Sequence, residues 1–156
     1  MRIEIDQSGK IEQTQLNTII SLSNEIRYSI ILNKKIKRRL QTKFRNYNKP
    51  RMFVYQVFSA LISIIFKEVK PKSKVIIDLE YFGQRDLLIV QITKYIKQLK
   101  ITPIPIFDFG FVGKNSPAHH LAQQVAYKKK AANKKVGFAE ISRLIWPRKN
   151  DRVSTD

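Results

Sequence analysis

The chain contains no cysteine. That excludes disulfides, thiolate zinc sites and cysteine nucleophiles together, and it fits a reducing, cytoplasmic compartment. Acidic residues are scarce: 12 Asp and Glu stand against 30 Lys and Arg, for a formal net charge of +18. Histidine occurs only as the adjacent pair His119 and His120. There is no phosphate-binding Gly-rich loop, no zincin helix, no Ser–His–Asp signature and no dinucleotide fingerprint. The segment Met1 to Asp6 lacks the apolar core of a secretory signal, so none is expected. The longest apolar stretch, Met52 to Phe66, is broken by Gln56, Ser59 and Ser63. It is short for a membrane span and reads as a buried core helix, with no membrane partner expected.

What is present is a 156-residue chain with 43% hydrophobic residues, enough for one packed domain. Its pI of about 10.3 points to a polyanionic partner, with nucleic acid, DNA or RNA, ahead of an anionic membrane surface. The basic residues are clustered. Arg27, Lys34, Lys35, Lys37, Arg38, Arg39, Lys43, Arg45, Lys49 and Arg51 fall in one segment where Glu25 is the only acid, with Phe44, Tyr47 and Phe53 interleaved. A second cluster holds Lys128, Lys129, Lys130, Lys134 and Lys135. Such clusters grip phosphates without reading sequence, and interleaved aromatics stack on splayed bases. The plainer alternative for each cluster is a solvated charged face.

Periodicity organises the chain. Ile3 and Ile5 alternate with Glu4 and Asp6, the turn Gln7-Ser8-Gly9-Lys10 follows, and Ile11 to Thr14 resumes extended character, so a hairpin opens the fold. The β-branched run Thr18 to Leu22 extends its second strand. Arg27 to Leu32 reads as a third strand. Asn33 to Arg45 fits both periods: Ile36, Leu40 and Phe44 have helical spacing, while Ile36, Arg38 and Leu40 have strand spacing. The expectation adopted is a long, charged strand or hairpin edge. Pro50 opens a helix, apolar all round, that runs to about Val69. A strand from Val75 to Tyr81, a helix from Gln84 to Leu99 and an edge strand from Ile101 to Asp108 follow, the last placed at an edge by Pro103 and Pro105. Ser116 caps a helix that starts at Pro117. A short helix, Phe138 to Trp146, ends the domain, and residues 147–156 read as a flexible tail.

Two of the scarce acids, Asp78 and Glu80, lie within an apolar strand, two residues apart and therefore on one face. Burying like charges side by side is unfavourable unless a cation offsets them. The offset is either a Lys or Arg partner or a divalent metal. Asp6, at the end of the first strand, is the third candidate; its alternative role is a turn residue accepting a backbone hydrogen bond. An acidic pocket on a cationic protein is the electrostatic layout of a metal-dependent nuclease.

The order hairpin, third strand, helix, strand, helix, strand, helix, with Asp6 on the first strand and Asp78 or Glu80 on the fourth, resembles the ribonuclease H-like superfamily, and within it the Holliday-junction-resolvase-like branch. The resemblance spans roughly residues 2 to 130. It implies an α/β fold whose mixed sheet has three antiparallel strands followed by alternating helices and parallel strands. It also implies a third catalytic group on the last helix, where this chain offers His119 and His120 instead of an acid. The first helix lacks the Glu of true ribonucleases H, which turns the resemblance away from ribonuclease H itself. In the resolvase-like branch a homodimer is implied, and Phe138, Ile141, Leu144, Ile145 and Trp146 are the apolar candidates for its interface.

The expectation is therefore an endonuclease that uses Mg²⁺ or Mn²⁺ on structured nucleic acid, with a branched-DNA resolvase as the narrower form. Its catalytic set is Asp6, Asp78, Glu80, His119 and His120, and its metal ligands are Asp6, Asp78 and Glu80. Glu80 is expected as the direct ligand, with Asp78 supporting it, and His120 is favoured over His119. The alternative is a non-catalytic basic nucleic-acid-binding protein or an accessory subunit of a ribonucleoprotein. In either case the charge predicts steep salt dependence: log affinity for duplex DNA should fall linearly with log salt, by about 0.9 per phosphate neutralised. Binding isotherms between low and physiological salt measure the slope, and a flat line contradicts the expectation.

Overall fold

The computed structural model describes residues 2–148. The tail expected from residue 147 lies, beyond Arg148, outside the described residues. Twelve elements follow one another. Strand β1 (Ile3–Ser8) leads through a long loop to β2 (Thr18–Ser23), and β3 (Tyr28–Leu32) runs into helix α1 (Lys34–Asn46). A 3₁₀ turn, Pro50–Met52, opens α2 (Phe53–Val69). Then come β4 (Val75–Asp78), α3 (Arg85–Gln98), β5 (Phe107–Gly110), α4 (Pro117–Ala126), β6 (Lys134–Val136) and α5 (Phe138–Ile145).

The strands form one six-stranded mixed sheet in the order β5-β4-β1-β2-β3-β6. The pairs β1–β2 and β2–β3 are antiparallel; β1–β4, β4–β5 and β3–β6 are parallel. Alternation sorts side chains onto two faces. Ile3, Ile5, Ile20, Leu22, Ile30, Leu32, Val75 and Ile77 join the main core with α2 and α3. Ile19 on the other face packs with Leu121, Ala122 and Val125 of α4. Helix α2 is apolar on nearly every side because it lies between the sheet and the helices α3, α1 and α5. The segment Pro50–Val69 is long and apolar enough to cross a membrane, yet 61% of its most apolar window is buried inside the fold, as befits a core helix.

Several expectations change. Residues 34–46 are a helix, not a charged strand. Asn33 caps it, its side chain accepting from the Lys35 N–H at 2.7 Å, and Leu40 and Phe44 are buried on one stripe. The helical period won because Ile36, Leu40 and Phe44 share one face, whereas a strand would have buried Arg38 between Ile36 and Leu40. Residues 11–14 form turns, and the second strand starts at Thr18. Strand β4 ends at Asp78, so Glu80 and Tyr81 lie beyond it. The edge strand begins only at Phe107, after both prolines, although its place at the sheet edge is as expected. Strand β6 was hidden in a lysine-rich segment whose charges masked its short pairing with β3.

The proposed interface residues turn inward. Ile141, Leu144 and Ile145 are buried. Phe138 lies under the Arg39 guanidinium at 3.8 Å, and Trp146 packs on Phe44 and Tyr47. Helix α5 thus closes the core of its own chain. Of the aromatics expected to meet bases, Phe44 and Phe53 are core residues, and Tyr47 stacks on Trp146.

The helical assignment of α1 is testable through its cap. Asn33→Ala should lower stability by about 1 kcal/mol, read as a reduced midpoint in urea denaturation. An unchanged midpoint would be inconsistent with a capped helix at this position.

Candidate metal centre

Sheet register builds the site. Ile5 stands opposite Ile77 in the parallel pair β1–β4, so the next residues, Asp6 and Asp78, are neighbours. Both side chains leave the core face occupied by Ile5 and Ile77 and emerge on the side of α4. The chain then departs from the strand. Leu79 N–H still reaches the Gly110 carbonyl at 3.0 Å, but Glu80 has no ladder partner. The result brings one carboxylate oxygen each from Asp6, Asp78 and Glu80 within 4.8 Å of one another. Although β4 has ended before Glu80, the oxygens of Asp78 and Glu80 approach each other and Asp6 alike, so the geometry offers both as ligands and ranks neither first.

Each carboxylate is held. Asp6 is buried, and its Oδ1 accepts from the Gln7 N–H at 2.8 Å. Its Oδ2 lies 2.7 Å from Nδ1 of His119. Asp78 Oδ1 accepts from the Val112 N–H at 3.0 Å, tying β4 to the loop after β5. Glu80 Oε2 has the Lys10 ammonium 3.9 Å away. Burial raises the pKa of Asp6, helped by the charge of Asp78 and opposed by hydrogen bonds from His119 and Gln7. Burial, followed by contact with Asp78 and the charge of Asp6, pushes Glu80 up to about 7 against the pull of Lys10. Three crowded carboxylates therefore share less than their full negative charge near neutrality.

Helix α4 supplies the imidazole. Ser116 caps it, accepting from the Ala118 N–H, and its hydroxyl also donates to Glu4 on β1 at 2.9 Å. Ser21 on β2 donates to the Ala118 carbonyl. These contacts pin the first turn of α4 over β1 and β2, with His119 facing Asp6. His120 is exposed and turns away, its ring 6.1 Å from that of His119. The structure places His119, and not the favoured His120, beside Asp6: Ser116, Ala118 and the sheet fix the helix rotation, which sequence spacing alone does not.

The basic candidates divide. Lys34, Lys35, Arg38, Arg39, Arg45, Lys128, Lys129 and Lys130 are exposed and Lys43 is half-buried. Lys37 is the correction: it is fully buried, with its ammonium bonded inside the protein, and has no surface to offer a phosphate. Asp108 stands apart from the cluster, paired to Arg85 at 2.7 Å. Three neighbours of the site were not anticipated. Lys10 sits in the β1–β2 loop, and Phe82 and Phe111, each 82% exposed, follow Glu80 and precede Val112. The available signal was the aromatic pair Tyr81 and Phe82 directly after Glu80.

No family model, curated protein or solved structure matches the chain.

The crowding has a measurable effect without any ion. Glu80 binds its proton more tightly when folded, at about 7, than at its ordinary value of 4.5. The stability it contributes is full below pH 4.5 and is lost as pH rises through 7. Glu80→Gln mimics the protonated form at every pH. In chelator it should match wild type in stability at pH 4 and exceed it at pH 8 by roughly 1–3 kcal/mol, read as a higher melting temperature. Equal melting temperatures at pH 8 would show that ionising Glu80 carries no cost in the folded protein, from burial or from its acidic neighbours.

Proposed function

We propose that the protein has a ribonuclease H-like fold and is a metal-dependent endonuclease acting on structured nucleic acid, with branched DNA as the favoured substrate. The observation that carries this reading is the meeting of Asp6, Asp78 and Glu80 within 4.8 Å, beside His119, in a chain of charge +18. The strand order supports the fold: an antiparallel trio, β1 to β3, is joined by β4 and β5 in parallel on the far side of β1.

The donor set fits a hard divalent cation such as Mg²⁺ or Mn²⁺. All three ligands are carboxylate oxygens, and their mutual repulsion falls when a cation sits among them. Bound there, the ion would act as a Lewis acid on the phosphate and lower the pKa of a water nucleophile. The remaining roles belong to the chain. An ionised Asp6 makes Nδ1 of His119 the donor, which leaves Nε2 as the free acceptor. From that place His119 takes a proton from the attacking water or passes one to the leaving oxygen. Lys10, across Glu80, offers a cation to a phosphate oxygen. The exposed rings of Phe82 and Phe111 suit unpaired bases better than a closed duplex. The first turn of α1, with Lys34 and Lys35, adjoins the Lys10 loop through the Lys34 N–H to Asn17 bond of 2.9 Å, so basic residues lie along the approach.

The experiment is cleavage of four-way-junction DNA, duplex DNA, RNA and RNA–DNA hybrid with Mg²⁺ or Mn²⁺ and with chelator. Cleavage should require the metal. Asp6→Asn should lower it by about 10²–10⁴-fold while binding persists. Asp78→Asn and Glu80→Gln should both be severe, His119→Ala should reduce the rate and alter its pH profile, and His120→Ala should match wild type. Salt-dependent binding with no cleavage of any substrate would replace this reading with the non-catalytic one.

A further inference from the structure

Lys37 is fully buried, a rare place for an ammonium unless it is bonded on all sides. Its three N–H groups are shared among four acceptors within hydrogen-bond distance: the carbonyls of Lys10 at 3.0 Å, Gln13 at 2.8 Å and Leu16 at 2.7 Å, and the Thr18 hydroxyl at 2.9 Å. Burial lowers its pKa to about 8, with the charge of Glu12 opposing the shift, so the ammonium form prevails at neutral pH.

Three of the four acceptors are main-chain oxygens of the loop 9–17 between β1 and β2. Two of them are turn carbonyls already: Gln13 N–H reaches Lys10 O, and Leu16 N–H reaches Gln13 O, each at 3.0 Å. The ammonium thus sits on the inner side of consecutive turns and fixes their curvature. The loop is also drawn shut at its base. Gly9 has φ of +74°, and a Cβ there would lie 2.1 Å from the Asn17 carbonyl; Thr18 donates to the Gly9 carbonyl at 2.6 Å.

The outer side of the same loop touches the carboxylate cluster. Lys10 faces Glu80, and Glu12 accepts from the Tyr81 hydroxyl at 3.3 Å. Asp6 and Asp78 are located by sheet register, but Glu80 is not, because β4 has ended. Its place depends on Tyr81, wedged against Tyr55 and Phe58, and on the loop.

We propose that Lys37 is a positioning residue: its buried ammonium shapes the β1–β2 loop so that Lys10 and Glu12 hold Glu80 and Tyr81 in place beside Asp6 and Asp78. The placement of Glu80 is a property of the fold, and only its effect on metal binding rests on the function proposed above.

Hydrogen exchange by mass spectrometry and Mn²⁺ titration on the full chain test this together. Lys37→Met should speed exchange about tenfold in residues 10–17 and also in 79–84, leaving β2 protected. Lys10→Met/Glu12→Leu keeps the main-chain carbonyls of the inner cage, removes both outer contacts and should loosen 79–84 alone. Lys37→Met should weaken Mn²⁺ binding about tenfold, with little further loss when combined with Glu80→Gln and a full further loss with Asp78→Asn. If Lys37→Met does not fold, Lys37→Gln, which keeps a short polar side chain but removes the ammonium, should give the same pattern. Faster exchange confined to 10–17, with 79–84 at the wild-type rate, overturns the proposal. Full additivity with Glu80→Gln overturns it as well. A wild-type protein that binds no Mn²⁺ refutes the metal reading, and the exchange pattern then decides the role of Lys37 by itself.

Discussion

Where β1 runs beside β4, Ile5 stands opposite Ile77 and an aspartate follows on each strand. The two isoleucines are sealed in the main core, so the two aspartates must leave it together on the other face. Moving either strand by one residue would send an aspartate into the contact with α2 and lift an isoleucine into the site. Hydrophobic burial on one face thereby enforces electrostatic crowding on the other. Helix α4 covers the crowded face at β1 and β2, and the β1–β2 loop closes it from the end. The site is what remains between those two covers.

Most of the architecture was legible where a segment had one period and one neighbour. Helix α2, with its unbroken apolar surface, and α4, with Ser116 and Pro117 at its start, followed from local chemistry, as did the strand character of residues 3–6 and 28–32. The α/β class followed from their order. Residues 34–46 were not legible, because three apolar positions among many charges satisfy two periods at once. What decided the outcome was tertiary: Leu40 and Phe44 reach the core beneath α5. Strand β6 failed for a related reason, since two of its three residues are lysines and only the adjoining edge of β3 makes them a strand.

The candidate site divides in the same way. Asp6, Asp78 and Glu80 stood out because acids are few, and scarcity does not depend on the fold. The choice between His119 and His120 depends on how α4 is rotated, which Ser21 and Glu4, from distant parts of the chain, determine by their bonds to Ala118 and Ser116. Lys37 shows the limit of reading charge as surface. It sits among Lys34, Lys35, Arg38 and Arg39, yet it shares the inward stripe of Leu40 and Phe44, and a loop more than twenty residues upstream supplies the oxygens that make burial tolerable.

The two ends of the sheet bear on how molecules of this protein meet one another. Every open β-sheet has outer strands whose free amides and carbonyls invite a neighbour to continue the ladder. Here one outer strand, β6, is three residues long and carries Lys134 and Lys135, the first already engaged by Glu68 and Glu140. The other, β5, is four residues long and is approached through Pro103 and Pro105, which have no N–H to give. A neighbouring strand finds too few bonds at either rim and a positive charge at one of them. Association that extends the ladder from chain to chain, the first step toward fibrils, is thus discouraged by the lysines that hid β6 and by the prolines that marked β5 as an edge.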